Sequence, residues 1–335
     1  MFEDFKLVIK IIKMSYDFHQ MNLIPKKCIV SSRSEVDTSV VFGNRKFNIP
    51  VIPANMECVV DENTCLNLAS ANYFYIYHRF NNNIVDFVKK MHTSGQYSSI
   101  SIGVGNKAKE ELQELKSIGH IPHYITIDIA HGHSDSVKEL IQWIRKTFEQ
   151  SPYFPYLIVG NVSTKEAVVD LEECGADAIK VGIGPGSACT TYNATGFGSR
   201  GAQAWVIEEC AKARVNPNTK IIADGGISHP GDIAKALVLG ADMVMVGGML
   251  SGLLDSPGSI VTMDDKKFKQ FWGSASSNTT GKTNRIEGTK YLIPLKDRTI
   301  IQEYTYLKEC LQSAISYGGG NTIEALNTVK WFIKH

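Results

Sequence analysis

Eight short runs of β-branched and aliphatic residues recur through the middle of this chain, each followed by a stretch of helical periodicity. That rhythm limits the fold more than any single motif does. The runs are "IPVIPANM" (49–56), "YFYIYH" (73–78), "SSISIGVG" (98–105), "YITIDIAH" (124–131), "YLIVGNV" (156–162), "AIKVGIG" (178–184), "KIIADGGI" (220–227) and "MVMVGGML" (243–250). They are nearly continuous in apolar residues, the pattern of parallel strands covered on both faces. Between them, "TKEAVVDLEECGAD" places Ala167, Val168, Leu171 and Cys174 on one helical stripe, with Thr164 as its cap and Gly175 at its end. "DSVKELIQWIRKTF" and "HPGDIAKALVLGAD" repeat the plan, and "GAD" recurs at 175–177 and 240–242 where a helix gives way to the next strand. Eight strand–helix pairs between residues 49 and 250 predict an α/β fold, a single-domain (β/α)8 TIM barrel. An open doubly wound sheet fits less well, because the runs number eight and no early GxGxxG fingerprint accompanies them.

The chain has 335 residues, 43% of them apolar, enough to bury a large core. A formal net charge of +1 gives no reason to expect a nucleic acid or a membrane surface as partner. Seven cysteines, an odd number with no CxxC pair, argue against a disulfide framework or a structural zinc site and for a reducing, cytoplasmic setting. In the opening "MFEDFKLVIKIIKM", Lys6, Lys10 and Lys13 interrupt the apolar residues, so it holds no signal-peptide core. Residues 1–14 read as a dispensable extension ahead of a domain spanning 15–335.

A barrel of this kind carries its chemistry at the C-terminal ends of its strands, and there the polar residues fall. Asn55 and Met56 end the first run, His78 and Arg79 the second, Asp128 and His131 the fourth, Asn161 the fifth and Asp224 the seventh, while Cys189 follows the sixth. The glycine pairs Gly225–Gly226 and Gly247–Gly248 close the last two runs, where exposed N–H groups and a helix N-terminus suit a phosphate. Asp224 is an acid and cannot itself hold that anion; it is better placed to accept from ribose hydroxyls. A phosphorylated ribose compound follows as ligand. In "GPGSACTT", Cys189 stands at the tip of a loop too rich in glycine to pack it, among hydroxyls and amides able to stabilise a thiolate. Carbonyls of the same loop could ring a monovalent cation.

Other features have plainer readings. Cys174 and Cys210 lie on helix stripes as small apolar residues. His131 and His133 lack further ligands at metal spacing and suit hydrogen bonding at a loop end. Asp61, Glu62 and the charges of "KAKEEL" are solvated helix starts, and "NNN" at 81–83 is a helix cap.

In combination, "KVGIGPGSACTT", "IIADGGISHPGDIAKAL", "MVMVGGML" and "IPVIPANM" resemble the inosine-5′-monophosphate (IMP) dehydrogenase and guanosine-5′-monophosphate (GMP) reductase superfamily, over residues 15 to about 320. "LIPKKCIVSSRSEVDTSV" (23–40), "YFYIYHRF" (73–80), "ITIDIAHGHS" (125–134) and "SISYGGG" (314–320) resemble the bacterial-type reductase branch. The dehydrogenases insert a regulatory domain for which no spacing here leaves room, and use an Arg-Tyr pair that the flap candidate "SNTTGKTNRIEGTKYLIPLK" (277–296) lacks. The resemblance implies a mobile flap at about 255–300, an active-site loop at 182–200, and a homotetramer.

It further implies NADPH-dependent reduction of GMP to IMP with loss of ammonia. Cys189 matches the nucleophile, and Thr191 and Glu287 match the pair that handles protons as ammonia leaves. For the nucleotide the matching positions are Met56, Ser187, Asp224, Gly225, Gly226, Gly247 and Gly248, with Gly273, Ser274 and Ala275 against the base. For NADPH they are Asp128, Ile129 and Ala130, with Arg79 near the nicotinamide and with Ile222, Ala223, Asp224 and Gly225. Ser32, Arg33, Tyr317 and Gly318 match positions that meet its far end in a neighbouring subunit. A cation such as K+, if one binds, would use carbonyls of Gly184, Gly186 and Cys189. Two positions depart from the pattern: Arg79 stands where some relatives have lysine, and Tyr192 replaces a basic residue. Other functions compatible with the motifs are IMP dehydrogenation, a catalytically silent nucleotide-binding barrel, and a flavin-dependent oxidase.

Overall fold

A computed structural model describes residues 15–273 and 290–334. Three short strands, β1 (Met21–Leu23), β2 (Val40–Phe42) and β3 (Arg45–Phe47), precede the main sheet. That sheet is formed by β4 (Val51–Pro53), β5 (Ser99–Ile102), β6 (Tyr124–Asp128), β7 (Tyr156–Val162), β8 (Ala178–Val181), β9 (Lys220–Asp224) and β10 (Met243–Val246). β11 (Ile260–Met263), β12 (Lys266–Trp272) and β13 (Lys290–Pro294) follow, and β14 (Trp331–Ile333) ends the chain, pairing antiparallel with β1.

The main sheet has seven parallel strands in the order β4-β10-β9-β8-β7-β6-β5. The first strand lies beside the last, and every other neighbour is consecutive in the chain, as a TIM-barrel-like domain requires. Seven of the eight expected runs are therefore strands. The remaining one, 73–78, lies alongside β5 through a single parallel bridge, Tyr77 to Ile100. Tyr77 N–H donates to Ser99 O at 3.0 Å, and Ser101 N–H donates to Tyr77 O at 2.9 Å. Elsewhere in this run phenol hydroxyls replace ladder partners: Tyr97 Oη donates to Tyr73 O at 2.6 Å, and Ser99 N–H reaches Tyr75 Oη at 3.3 Å. The buried backbone is satisfied without a regular ladder.

The helices are α1 (Glu62–Ser70), α2 (Ile84–Thr93), α3 (Asn106–Ser117), α4 (Asp135–Thr147), α5 (Lys165–Glu173), the single turn α6 (Thr191–Thr195), α7 (Gln203–Ala213), α8 (Pro230–Val238), α9 (Gly248–Ser251) and α10 (Ile300–Tyr317). Caps fall where the sequence puts them. Asp61 Oδ1 accepts from Thr64 N–H, Asn83 caps α2, and Thr164 Oγ1 accepts from Ala167 N–H.

The two ends of the sheet are treated differently. At the strands' N-terminal end the β2–β3 hairpin drives Phe42 and Phe47, both fully buried, against Phe74, Tyr97, Tyr124 and Tyr156. Tyr124 Oη donates to Phe42 O at 2.7 Å. This end is plugged by stacked aromatics. The C-terminal end stays open.

Over that end lies an antiparallel three-stranded sheet, β11-β12-β13. It takes up both ends of the region expected to be a flap. Cys58 Sγ donates to Trp272 O at 3.2 Å and fastens β12 to the loop after β4. Residues 274–289, including Glu287, Ser274 and Ala275, lie outside the described residues.

Candidate active site

One cavity of about 450 Å³ opens among the C-terminal ends of the parallel strands, a size suited to a small organic ligand. Its wall is continuous from the loop after β4 to the start of α9. Met56, Arg79, Asp128, Ile129 and Ala130 line one part. Gly184, Gly186, Ser187, Cys189 and Thr191 line another, and Asp224, Gly225, Gly226, Gly247, Gly248 and Gly273 complete it. Ile222 and Ala223 do not line it: both are fully buried within β9, one strand-layer below Asp224.

The cysteine loop owes its shape to a few backbone constraints. Gly182 has φ +145°, and a Cβ there would lie 1.9 Å from Asp224 O, so only glycine fits. Gly182 N–H donates to Val162 O at 2.8 Å and Cys189 N–H to Gly186 O at 3.0 Å. Gln203, fully buried, closes the base: its Nε2 donates to Val181 O at 3.0 Å and to Asp224 O at 3.1 Å, while Oε1 accepts from Ser199 Oγ at 2.5 Å. Cys189 Sγ is thereby held at the cavity, half-buried, donating to Thr191 Oγ1 at 3.3 Å. Cys58 and Cys210 are packed in the interior, where burial pushes their thiols up to about 12. Ser187 Oγ shares a hydrogen bond with Tyr291 Oη from β13, so the antiparallel sheet touches the loop directly.

Beside the loop sits an ion network that the sequence reading overlooked. Lys180, in β8 and 3% exposed, places Nζ 3.0 Å from Asp128 Oδ1 and 2.7 Å from Asp224 Oδ2. Strand register brings them together: Asp128 pairs with Gly160, and Gly160 with Lys180. A Cβ on Gly160 would lie 2.6 Å from Lys180 Cβ, so the missing side chain leaves the lysine room. Asn161 Nδ2 also donates to Asp224 Oδ2, at 2.8 Å, and to Gly182 O, at 2.5 Å. Arg79 Nε donates to Asp128 O at 3.1 Å and lies 4.0 Å from its Oδ2, with the guanidinium over the Phe80 ring. Burial alone would raise Asp128, but the Lys180 and Arg79 charges outweigh it and hold the carboxyl below its usual range. Burial alone would lower Lys180, and its two carboxylates outweigh that and hold it above the usual lysine value. Asp128 and Lys180 therefore both stay charged at neutral pH. The one signal in the sequence was a lysine inside an otherwise apolar strand run.

Four of the expected cofactor residues lie together but away from the cavity. Ser32 caps a short turn that begins at Arg33, Arg33 Nη1 donates to Ser313 Oγ at 3.0 Å, and Tyr317 O accepts from Lys26 N–H at 2.8 Å. Tyr317 is 58% exposed, and Gly318 follows it. In the loop after β6, His133 Nε2 contacts Asp170 Oδ2 at 2.9 Å, the loop-end hydrogen bond expected of it. Among the described residues no group of three or more His, Cys, Asp or Glu could hold a metal ion.

A profile of the IMP dehydrogenase / GMP reductase domain matches residues 15–335, essentially the whole chain. The chain belongs to the IMP dehydrogenase / GMP reductase family. Family members with which it aligns almost end to end include a protein named GMP reductase from Levilactobacillus brevis, 48% identical over 319 residues and covering 95% of each chain. A GMP reductase from Ligilactobacillus salivarius is 49% identical, covering 95% of this chain and 96% of its own. One from Clostridium acetobutylicum is 47% identical over 323 residues, 95% of each chain. Family membership ties the motifs to the cavity they line. The polar strand ends Asn55, Arg79, Asp128, Asn161 and Asp224, the paired glycines and the cysteine loop line one pocket, whereas His78 is buried and His131 exposed, and neither lines it.

Proposed function

We propose that this protein is a GMP reductase, an oxidoreductase converting GMP, NADPH and two protons to IMP, NADP+ and ammonium in purine salvage and interconversion. The observation that carries the reading is one cavity in which Cys189, with Thr191 against its sulfur, faces the glycine pairs and Asp224. Full-length relatives named GMP reductase support it. The scaffold for this chemistry is a closed (β/α)8 barrel whose eighth staves are the residues 73–78, within a single domain spanning 15–335.

GMP lies over the strand ends. Its phosphate meets Ser187 and the amides of Gly226, Gly247 and Gly248; its ribose hydroxyls donate to Asp224; its base packs near Met56 and Gly273, with Ser274, Ala275 and Glu287 from the adjoining segment. Cys189 as thiolate attacks C2. The amino group leaves as ammonia after taking a proton, and a thioimidate joins sulfur to carbon. Thr191 Oγ1, 3.3 Å from the sulfur, is placed to relay that proton with Glu287. After reduction at C2, the thiolate departs and IMP is released.

NADPH, when bound, supplies the hydride. The residues present suit it: Asp128, Ile129 and Ala130 form a strand end on the same cavity wall, with the Arg79 guanidinium against the acid. In a homotetramer the exposed patch of Ser32, Arg33, Tyr317 and Gly318 would serve a neighbour's cofactor. A cation such as K+ at Gly184, Gly186 and Cys189 would share Gly186 O with the Cys189 N–H, and no step depends on it. Among the described residues no helix is long and apolar enough to cross a membrane, and the soluble nucleotide substrates suit the cytoplasm.

The test is an absorbance assay of the purified protein. NADPH consumption strictly dependent on GMP, with IMP as product, is expected. Reduction of NAD+ in the presence of IMP, with no NADPH loss on GMP, would assign it to the dehydrogenase reaction instead.

A further inference from the structure

We propose that Lys180 is a positioning residue that couples the ribose-binding acid Asp224 to the cofactor-side acid Asp128, fixing which oxygen of Asp224 faces the nucleotide. The proposal rests on the GMP reductase reading for the identity of the nucleotide, and on the geometry for everything else.

Among the described residues, both side-chain contacts on the Asp224 carboxylate fall on Oδ2, from Lys180 Nζ at 2.7 Å and Asn161 Nδ2 at 2.8 Å. Oδ1 is thereby left for a ligand. The same ammonium holds Asp128 Oδ1 at 3.0 Å, across β7 where Gly160 has no side chain. Among the described residues, the charged groups facing Lys180 are Asp128 from β6 and Asp224 from β9, with Arg79 beyond Asp128. One buried cation therefore serves two carboxylates on opposite sides of the cavity floor. Nothing in phosphate binding or in the attack of Cys189 requires a lysine at this place. What it supplies is charge balance and direction: without it, two acids share a desolvated floor with a single guanidinium, and one of them takes up a proton. A protonated Asp224 is free to rotate and loses acceptor strength toward the ribose.

The measurement is equilibrium binding of IMP, without cofactor, to wild type, Lys180→Met and Lys180→Arg at pH 6.5, 7.5 and 8.5. For Lys180→Met, affinity should fall by about tenfold more than for wild type between pH 8.5 and 6.5, since a carboxyl raised into that window loses about tenfold in ionised form per pH unit below its midpoint. The sign follows from an acid that must be ionised to accept, so the loss is on the acidic side. Lys180→Arg keeps the charge and should return to the wild-type profile. A merely structural lysine would weaken binding equally at every pH, and that outcome overturns the proposal. Should Lys180→Met not fold, Asp128→Asn reads the same coupling. That substitution lies off the nucleotide yet frees Lys180 to pair with Asp224 alone, and a change of at least about threefold in IMP affinity is expected; an unchanged affinity contradicts it. Wild type that fails to bind IMP at any pH counts against the functional reading, whereas wild-type binding with an unaltered profile in both variants counts against the coupling alone.

Discussion

Cys189 differs from the chain's buried cysteines in what surrounds it. Cys58 and Cys210 are packed until burial pushes their thiols up to about 12, where they are inert at neutral pH. Cys189 faces the cavity beside a threonine hydroxyl and within a loop that glycines and Gln203 hold from below. Cys189→Ala should therefore abolish GMP-dependent NADPH oxidation while GMP affinity, measured by calorimetry, stays within about tenfold, because phosphate and ribose contacts survive. Residual turnover above about one part in a thousand would contradict a covalent route. This cysteine was legible in the sequence because its neighbours are unsuited to packing a thiol. Lys180 was not, although its ammonium meets both acids. Its partners are set by pairing across β6, β7 and β8, and that register is not written in any local pattern.

At the scale of elements, the loop between β8 and α7 depends on one backbone position more than on any side chain. Gly182 combines φ +145° with Asp224 O only 1.9 Å from where a Cβ would stand. Gly182→Ala must both strain the residue and push β9 away, and the expected cost is about 3 kcal/mol, read as a lower urea midpoint with activity lost in proportion. A stability loss below about 1 kcal/mol would mean the loop adjusts freely and does not fix Cys189. Helix positions and caps were readable because they rest on local spacing, as Thr164, Asn83 and Asp61 illustrate. The run 73–78 has strand composition, yet tyrosine hydroxyls from Tyr75 and Tyr97 take the place of ladder partners and reduce it to one bridge. The antiparallel β11-β12-β13 sheet was hidden for a different reason. β11 is exposed along most of its length and β12 opens on two exposed lysines, so neither a buried-strand pattern nor a helical period marks them.

The molecule as a whole separates a plugged end from an open one. Phe42 and Phe47 from a hairpin of two three-residue strands seal the N-terminal side of the parallel sheet. Cys189, Thr191, Ser187, Asp224, Asp128 and Arg79 all line the cavity on the other side. The general plan was visible in the sequence, since eight apolar runs with polar ends already imply a ring of strands with a pocket above them. The plug was not, because residues 40–47 carry no periodic signal and become a seal only through contacts with Tyr124 and Tyr156, over eighty residues away. With the lower end closed, a ligand has the open end alone, where Cys189 lines the cavity with the paired glycines. Mass spectrometry of protein quenched in acid during turnover on GMP addresses that arrangement directly. The account predicts a Cys189-containing peptide heavier by one GMP less one ammonia, absent from Cys189→Ala. Robust turnover in which that peptide stays unmodified at every quench time would contradict it.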